Sequence, residues 1–308
     1  MSRKNVRILN FDSSITRQKT LIEKYAPDIV DLTDIGPAAR MWFSDNSEGE
    51  INRRLDLRPP AAINLLGSGD FHHVSRLLIE RIDGPLCVIG FDMHPDWDIL
   101  PPRLACGSWV NGALENRNVL KFLLIGASSD DLSAPWIESG NIGAFRDGRL
   151  EIYPYSHAPS YVFFRDVPEN LSVIVEKMLF FRRIWWTELA GKNMTDFFRG
   201  VLERLPSRKV YVTIDKDCLK REYAFTNWEA GRSTLEEVLS ILRLIKEKTD
   251  IVGADITGDY SPVRVKGVLK KMASYIDHPK GRGTVAADDD LRRETNESTN
   301  LRILEALS

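Results

Sequence analysis

The chain has 308 residues and a formal net charge of -2 at pH 7, and 43% of its residues are hydrophobic. This length suits one large α/β domain or two small ones, and the near-neutral charge gives no basic field that would favour nucleic acid as a partner. Three cysteines, Cys87, Cys106 and Cys218, are too few for a disulfide framework or a cysteine-rich zinc site. The first residues lack the apolar core of a signal peptide, and no apolar run approaches about 18 residues. We therefore expect a cytoplasmic protein without a membrane segment.

Strands and helices are predicted to alternate along the chain. Short apolar runs predict buried strands at residues 6–11, 29–32, 61–66, 86–91, 119–125, 150–155, 209–214 and 251–256. Amphipathic patterns predict helices at residues 16–25, 38–55, 72–82, 169–180, 194–205, 233–248, 263–275 and 301–307. Ser233 and Glu236 are spaced as a capping box, whereas the polar residues 279–300 predict a solvated loop. Without a linker or repeat, the alternation predicts a single α/β domain, residues 1–308, with a mainly parallel sheet.

One predicted strand ends in a cluster of possible metal ligands. Asp92, His94 and Asp96 follow it at alternate positions in the stretch VIGFDMHPDWD. If the backbone stays extended, all three side chains project to one side. Two carboxylates and an imidazole facing one point need a cation between them, and these ligands suit Mn, Fe or Zn. The alternative is an ordinary polar loop.

Two further predicted strand ends carry similar side chains, at residues 70–73 and at Asp215 and Asp217. Ligands of open parallel sheets bind beyond the carboxyl ends of the strands, so the three groups are expected to converge. This convergence favours a metal site over a polar loop.

The three motifs resemble those of the arginase–agmatinase (ureohydrolase) superfamily over roughly residues 61–262. GSGDFHH at 67–73, DMHPD at 92–96 and TIDKD at 213–217 resemble the GGDH turn, the D-A-H-x-D strand end and the S-x-D-x-D strand end of the family. The resemblance implies a three-layer arginase-like fold that holds two divalent metal ions, which we expect to be Mn(II).

The resemblance also implies the ligand of each ion. Asp92 and Asp215 would bridge both ions, and His94 and Asp217 would complete the second site. Asp96 and a histidine of the glycine turn would complete the first site. That histidine is either His72 or His73, because Phe71 is inserted before the pair, and we favour His72, which lies nearer the turn.

The chain departs from the family at two functional positions. Where family enzymes place a proton-shuttling histidine in an H-G loop, this chain has Cys106, which could act as an acid or base or merely fill a small space. His157 and His278 are expected to lie in loops, from which either could swing into the site, although we favour surface positions for both. The guanidinium-binding D-I-x-E-x-N-P segment is replaced by DITGDYSP, with Gly258 at the place of the glutamate and Asp259 as its substitute.

These features lead to one main functional hypothesis and two rivals. The main hypothesis is a binuclear metal-dependent hydrolase that cleaves a non-peptide C–N bond of a guanidino, amidino or related compound. Asp98, two residues beyond Asp96, and Asp259 would bind a positively charged small-molecule substrate. The rivals are a non-catalytic, metal-binding arginase-like protein and a deacetylase-like amidohydrolase. A homo-oligomer is compatible with the resemblance, since family members often form rings of trimers or hexamers.

Overall fold

The computed structural model describes residues 5–58, 60–102, 104–146, 148–278 and 288–308. The strands are β1 Val6–Asn10, β2 Asp28–Asp31, β3 Ile63–Gly67, β4 Leu86–Phe91, β5 Val119–Ile125, β6 Leu150–Tyr153, β7 Ser160–Phe163, β8 Val173–Lys177, β9 Phe181–Trp186, β10 Lys209–Asp215 and β11 Asp250–Thr257. The α-helices are α1 Lys19–Tyr25, α2 Gly36–Ala39, α3 Ser47–Asp56, α4 Val74–Ile79, α5 Trp109–Glu115, α6 Met194–Leu202, α7 Leu235–Lys248, α8 Val268–Asp277 and α9 Asp289–Leu307. None of these helices is long and apolar enough to cross a membrane.

Eight strands form a sheet in the order β2-β1-β3-β11-β10-β4-β5-β6, and every neighbouring pair is parallel. Alternate residues of a strand enter different hydrophobic clusters, as Val88 and Ile89 of β4 do. One cluster includes residues of α3, α4 and α5, and the other includes residues of α1, α6, α7 and α9. The predicted α/β fold with a mainly parallel central sheet is confirmed, with helices on both faces.

A second sheet replaces a predicted helix. β7, β9 and β8 form a three-stranded antiparallel sheet, so the helix predicted at residues 169–180 is wrong. Within β8, Val173 and Val175 are buried and Ile174 is exposed, which is the period of a strand. Branched Val and Ile side chains favour this conformation, and their inward members pack into the same cluster as Trp186 of β9.

Other differences concern element boundaries. The helix predicted at 38–55 is divided between α2 and α3, and the capping box of α7 is formed by Thr234 and Glu237, one residue later than predicted. Residues 279–287 of the predicted loop lie outside the described residues. The rest of that stretch belongs to α9, capped by the Asp288 side chain, so the loop prediction is wrong there. Polar residues of α9 such as Asn300 are buried, because their partners are polar groups near the carboxyl ends of the strands.

Candidate metal centre

The predicted ligands follow three strands at the centre of the large sheet. β3, β11, β10 and β4 are consecutive neighbours, so the carboxyl ends of β3, β10 and β4 lie close together. The glycine turn after β3 positions His72, Asp92 follows β4, and Asp215 is the last residue of β10. The two ends of the sheet order carry none of these groups.

A first group of ligands surrounds the buried His72 ring. Its Nδ1 atom lies 3.0 Å from Asp92 Oδ2, 3.3 Å from Asp96 Oδ2 and 3.6 Å from Asp215 Oδ2. Oxygens of three carboxylates thus approach one ring nitrogen. Asp96 Oδ2 also accepts a hydrogen bond of 2.8 Å from Trp109 Nε1, which fixes the orientation of this carboxylate.

A second group shares Asp92 with the first. His94 Nδ1 lies 2.9 Å from Asp217 Oδ2 and 3.7 Å from Asp92 Oδ1. Atoms of Asp92, His94 and Asp217 all lie close enough to hold one ion, as do those of His72, Asp92 and Asp96. Two adjacent ligand groups joined by one carboxylate have the arrangement expected of a binuclear site.

The hydrogen bonds around His72 prepare it to bind a cation. Thr213 donates its hydroxyl proton to Asp255 Oδ1 at 2.7 Å, so the same hydroxyl accepts the bond of 2.8 Å from His72 Nε2. In the neutral ring the proton therefore sits on Nε2, and the Nδ1 lone pair points at the carboxylates. This Nδ1 atom is buried without a hydrogen-bond partner. A cation at this position would satisfy both the nitrogen and the carboxylates, so the residues present fit a metal ion.

The carboxylates strongly perturb one another. Burial and the charge of Asp92 raise the pKa of Asp96 to about 7 and that of Asp217 to about 6. Burial and the neighbouring carboxylates also raise the pKa of Asp215 well above its usual range. Burial alone would raise the pKa of Asp92 too, but the neighbouring His72 and His94 lower it. Divalent cations would remove this repulsion, and metal binding is expected to release protons.

The backbone route to this cluster differs from the prediction. β4 ends at Phe91, and Asp96 has a positive φ of 46°, so the residues after the strand are not extended. The backbone N–H of His94 donates to Asp92 Oδ1 at 2.7 Å, which turns the chain locally. The three side chains converge because the loop folds back, and the argument from strand alternation is wrong.

The cluster forms the floor of a cavity of about 560 Å³. Besides four of the ligand carboxylates, five further acidic residues line it, namely Asp98, Asp130, Asp131, Glu229 and Asp277. Among the described residues, no lysine or arginine lines the cavity. Trp97, Trp136 and Trp228 supply apolar wall. Such a cavity attracts cations and disfavours anions.

Two of the predicted catalytic residues line this cavity. Asp98 is half-buried at its edge, with Oδ1 accepting the Leu100 amide at 2.9 Å. Cys106 is also half-buried, and burial together with the charges of Asp70 and Asp96 raises the pKa of its thiol well above the usual range. In the metal-free site these effects favour the neutral thiol of Cys106.

The third predicted residue, Asp259, is placed differently. Its carboxylate is buried, pairs with Lys216 Nζ at 2.6 Å and accepts from Gln18 Nε2 at 2.7 Å. It does not line the cavity, so the structure does not support its pairing with Asp98 across one cleft. The structure also explains why residue 258 is a glycine. Its φ is +90°, and a Cβ there would lie 2.4 Å from Asp215 Oδ1.

The other histidines have distinct surroundings. His73 packs against Phe43, its two ring nitrogens have no partner, and burial lowers its pKa to about 3. The His72 ring faces the carboxylates instead, which favours His72 over His73 as the ligand. His157 bonds Ser133 and does not line the cavity. His278 is not a surface residue as expected, since only 12% of its side chain is exposed and Nε2 lies 2.9 Å from Asp70 Oδ1.

Several cavity residues were missed by sequence analysis. Asp130 and Asp131 follow β5, so the rule of strand carboxyl ends could have found them. Trp228 and Glu229 lie in an irregular loop between β10 and α7, and Asp277 ends α8. No local signal marks these three, because the fold alone brings them to the cavity.

Comparison of the sequence with known proteins finds a similarity to arginases. Residues 161–266 match the sequence profile of the Arginase family. An uncharacterised protein of Thermotoga maritima is 26% identical over 201 residues, which cover 65% of this chain. The match spans 59% of that relative, less than two thirds of its length.

Solved structures of similar fold span nearly the whole chain. Proclavaminate amidino hydrolase from Streptomyces clavuligerus has a TM-score of 0.55 at 14% identity, covering 99% of this chain and 92% of that one. Agmatine ureohydrolase of Thermoplasma volcanium has a TM-score of 0.56 at 13% identity, covering 99% and 89%. Formimidoylglutamase from Bacillus subtilis has a TM-score of 0.54 at 11% identity, covering 98% and 86%. The profile match over residues 161–266 and the shared fold together show that this chain has an arginase-like fold and is similar to the proteins of the ureohydrolase superfamily.

Proposed function

We propose that this protein is a binuclear metal-dependent hydrolase that cleaves a non-peptide C–N bond in a cationic guanidino, amidino or related small molecule. The observation that carries the proposal is a pair of ligand groups sharing Asp92 at the floor of an acidic cavity. The solved relatives named above, an amidino hydrolase and a ureohydrolase among them, support the reaction class.

We propose the ligand roles that the family resemblance implies, and the contacts within the two groups support them. Asp92 and Asp215 would bridge the two ions, His72 and Asp96 would complete one site, and His94 and Asp217 the other. When bound, two divalent ions, which we expect to be Mn(II), would polarise the group under attack and lower the pKa of a water molecule. Trp109 holds Asp96, and Thr213 holds His72, in the orientations that binding requires.

The remaining cavity residues would bind and orient the substrate. Asp98, Asp131, Glu229 and Asp277 carry negative charge around the opening, so a guanidinium or amine would be held there through charge-assisted hydrogen bonds. In this proposal these carboxylates take the role that the sequence predicts for Asp259. A cationic substrate thus remains the expectation, with a different set of carboxylates to bind it.

Cys106 would act as a proton donor rather than as a general base. Burial and the charges of Asp70 and Asp96 raise the pKa of its thiol in the metal-free site, and this favours the neutral thiol, which can donate a proton to a departing amine. A thiol in place of an imidazole also favours a second candidate function, in which the protein binds metal and a cationic ligand without turnover.

Metal content tests the proposal directly. After loading with Mn(II) and removal of free ions, elemental analysis should find two ions per chain. Asp92→Ala and Asp215→Ala should each lose both ions, because each removes a bridge, whereas Asp217→Ala should lose mainly one. Asp98→Ala is the matched control, since it removes a cavity carboxylate outside the ligand set and should keep both ions. Full occupancy in Asp215→Ala would refute the bridging assignment.

Activity separates the two candidate functions. The loaded protein should be screened against guanidino acids, guanidino amines and N-substituted amides, with release of urea or amine as the readout. Hits are expected among cationic compounds. Binding of cationic compounds by calorimetry without turnover would favour the non-catalytic candidate, and hits confined to neutral or anionic amides would contradict the cationic substrate.

A further inference from the structure

The small antiparallel sheet has one buried face and one face in solvent. Val175 and Ile184 point into the core. The opposite side of the sheet carries Tyr161, Phe163, Ile174, Glu176, Phe181, Arg183 and Trp185 of the strands. Four exposed apolar residues adjoin it, Phe164 after β7 and Met178, Leu179 and Phe180 in the turn between β8 and β9. We call this side and the adjoining residues together the outer face. The cross-strand pairs Ile174–Trp185 and Phe163–Phe181 lie towards opposite ends of this face.

The outer face is unusually apolar for a surface. Its seven most exposed apolar side chains are between 43% and 86% exposed, namely Phe163, Phe164, Ile174, Met178, Leu179, Phe180 and Trp185. At about 150–250 Å² for a fully exposed large side chain, together they present on the order of 800 Å². Monomeric proteins rarely expose patches larger than a few hundred Å². One partner of a standard protein–protein interface buries about 800 Å².

A charged pair lies in the middle of this face. Arg183 Nη1 lies 3.1 Å from Glu176 Oε2, which also accepts from Trp185 Nε1 at 3.2 Å. The guanidinium group of Arg183 stacks over the rings of Tyr161 and Trp185, at 5.5 and 5.7 Å from their centroids. Aromatic residues around an arginine are typical of protein interfaces. Insertion into a lipid surface would instead bury this ion pair at a desolvation cost.

The sheet cannot readily extend along its edges. The amide of Val175 on β8 donates to Glu169 Oε1 at 2.8 Å, and that of Val173 donates to the Asn170 carbonyl at 3.3 Å. On β7, the Phe163 amide donates to Glu138 Oε1 at 2.6 Å. Because these backbone amides at the sheet edges already have acceptors, pairing of a further strand with β7 or β8 is disfavoured. We therefore expect a partner of this sheet to bind its outer face.

We propose that the outer face is an isologous interface between two copies of this chain. A cation and an anion side by side make the face complementary to itself. The half-turn that sets Arg183 of one copy opposite Glu176 of the other has its axis in the plane of the interface, above the midpoint of the pair and perpendicular to the line that joins the two side chains. The apolar residues around the pair then bury each other.

Sedimentation velocity on the full chain at micromolar concentration tests this proposal. The wild type should sediment as a multiple of two 35.0 kDa chains. Leu179→Lys should halve that mass or raise the dissociation constant at least about 30-fold, the effect of losing one interface hot spot. Leu57→Lys, at a position 72% exposed just after α3, is the control and should change nothing. Circular dichroism should show that both variants are folded.

Charge exchange tests the symmetry of the interface. Arg183→Glu and Glu176→Arg should each weaken self-association when purified alone, because like charges then face each other. Mixing the two variants should restore the dimer, since both cross-copy pairs become attractive. A monomeric wild type, or a mass unaffected by Leu179→Lys, would overturn the proposal. Monomers that bind phosphatidylserine vesicles through this face would overturn it in favour of a lipid surface.

Discussion

We predict that Asp70→Asn lowers the free energy of unfolding by about 3 kcal/mol, the lower part of the range for breaking a buried ion pair. The Asp70 carboxylate is wholly buried and accepts from Arg40 Nε at 2.6 Å, His278 Nε2 at 2.9 Å and Trp228 Nε1 at 3.1 Å. The substitution leaves the Arg40 guanidinium buried without its counter-charge. The guanidinium keeps acceptors such as Ser261 Oγ at 2.9 Å, which is why we expect the lower part of the range.

The effect should depend on pH in a defined direction. Burial alone would lower the pKa of His278, but Asp70 raises it above its ordinary value. Its contribution to stability is therefore complete below about pH 6.5, the unfolded value, and is lost as the pH rises through the folded pKa. Burial would raise the pKa of Asp70, yet Arg40 and His278 lower it, so its own contribution is lost only in acid. The difference between wild type and Asp70→Asn should thus be larger at about pH 6 than at about pH 9.

Urea denaturation of the metal-free protein at both pH values measures these differences without a contribution from metal binding. His278→Gln is the matched control, because glutamine can still donate a hydrogen bond to Asp70 but does not titrate. It should remove most of the pH dependence and little of the stability at high pH. A loss below about 1 kcal/mol in Asp70→Asn, the size of an ordinary hydrogen bond, or a loss that grows from pH 6 to pH 9, would refute the reasoning.

Three further predictions concern single residues. Cys106→Ser should lower turnover by about 10²–10⁴-fold if the thiol donates a proton, with the metal content unchanged; an unaltered kcat would leave the thiol a packing role. His72→Leu should lose metal, whereas His73→Leu should keep it, as elemental analysis would measure. His73→Leu should also stabilise the fold by about 1–3 kcal/mol in urea denaturation, since it removes two buried nitrogens without partners. Lys216→Met should destabilise by about 3–5 kcal/mol, because it leaves the Asp259 carboxylate buried and unpaired; recovery of stability in Lys216→Met with Asp259→Leu would attribute the loss to that charge, and no recovery would contradict it.

Most strands of the large sheet could be predicted from the sequence, because each is encoded by a local run of apolar residues. Buried parallel strands are short continuous apolar runs, and β4 and β10 were predicted within a residue of their ends. Polar residues directly after such strands must lie at one edge of the sheet, so Asp92 and Asp215 could be placed near each other without knowledge of the loops.

The tertiary structure decided whatever depends on contacts between distant segments. β8 was predicted as part of a helix because a short apolar run does not distinguish a helix from a strand, and packing against the core selects the strand. Asp259 follows a strand end as Asp92 does, yet Lys216 and α9 take it away from the cavity. Asp70, by contrast, is joined to Arg40 and His278 across 30 and 208 residues of sequence. No local pattern encodes such partners, because a side chain's environment is set by the long-range packing that places another segment beside it.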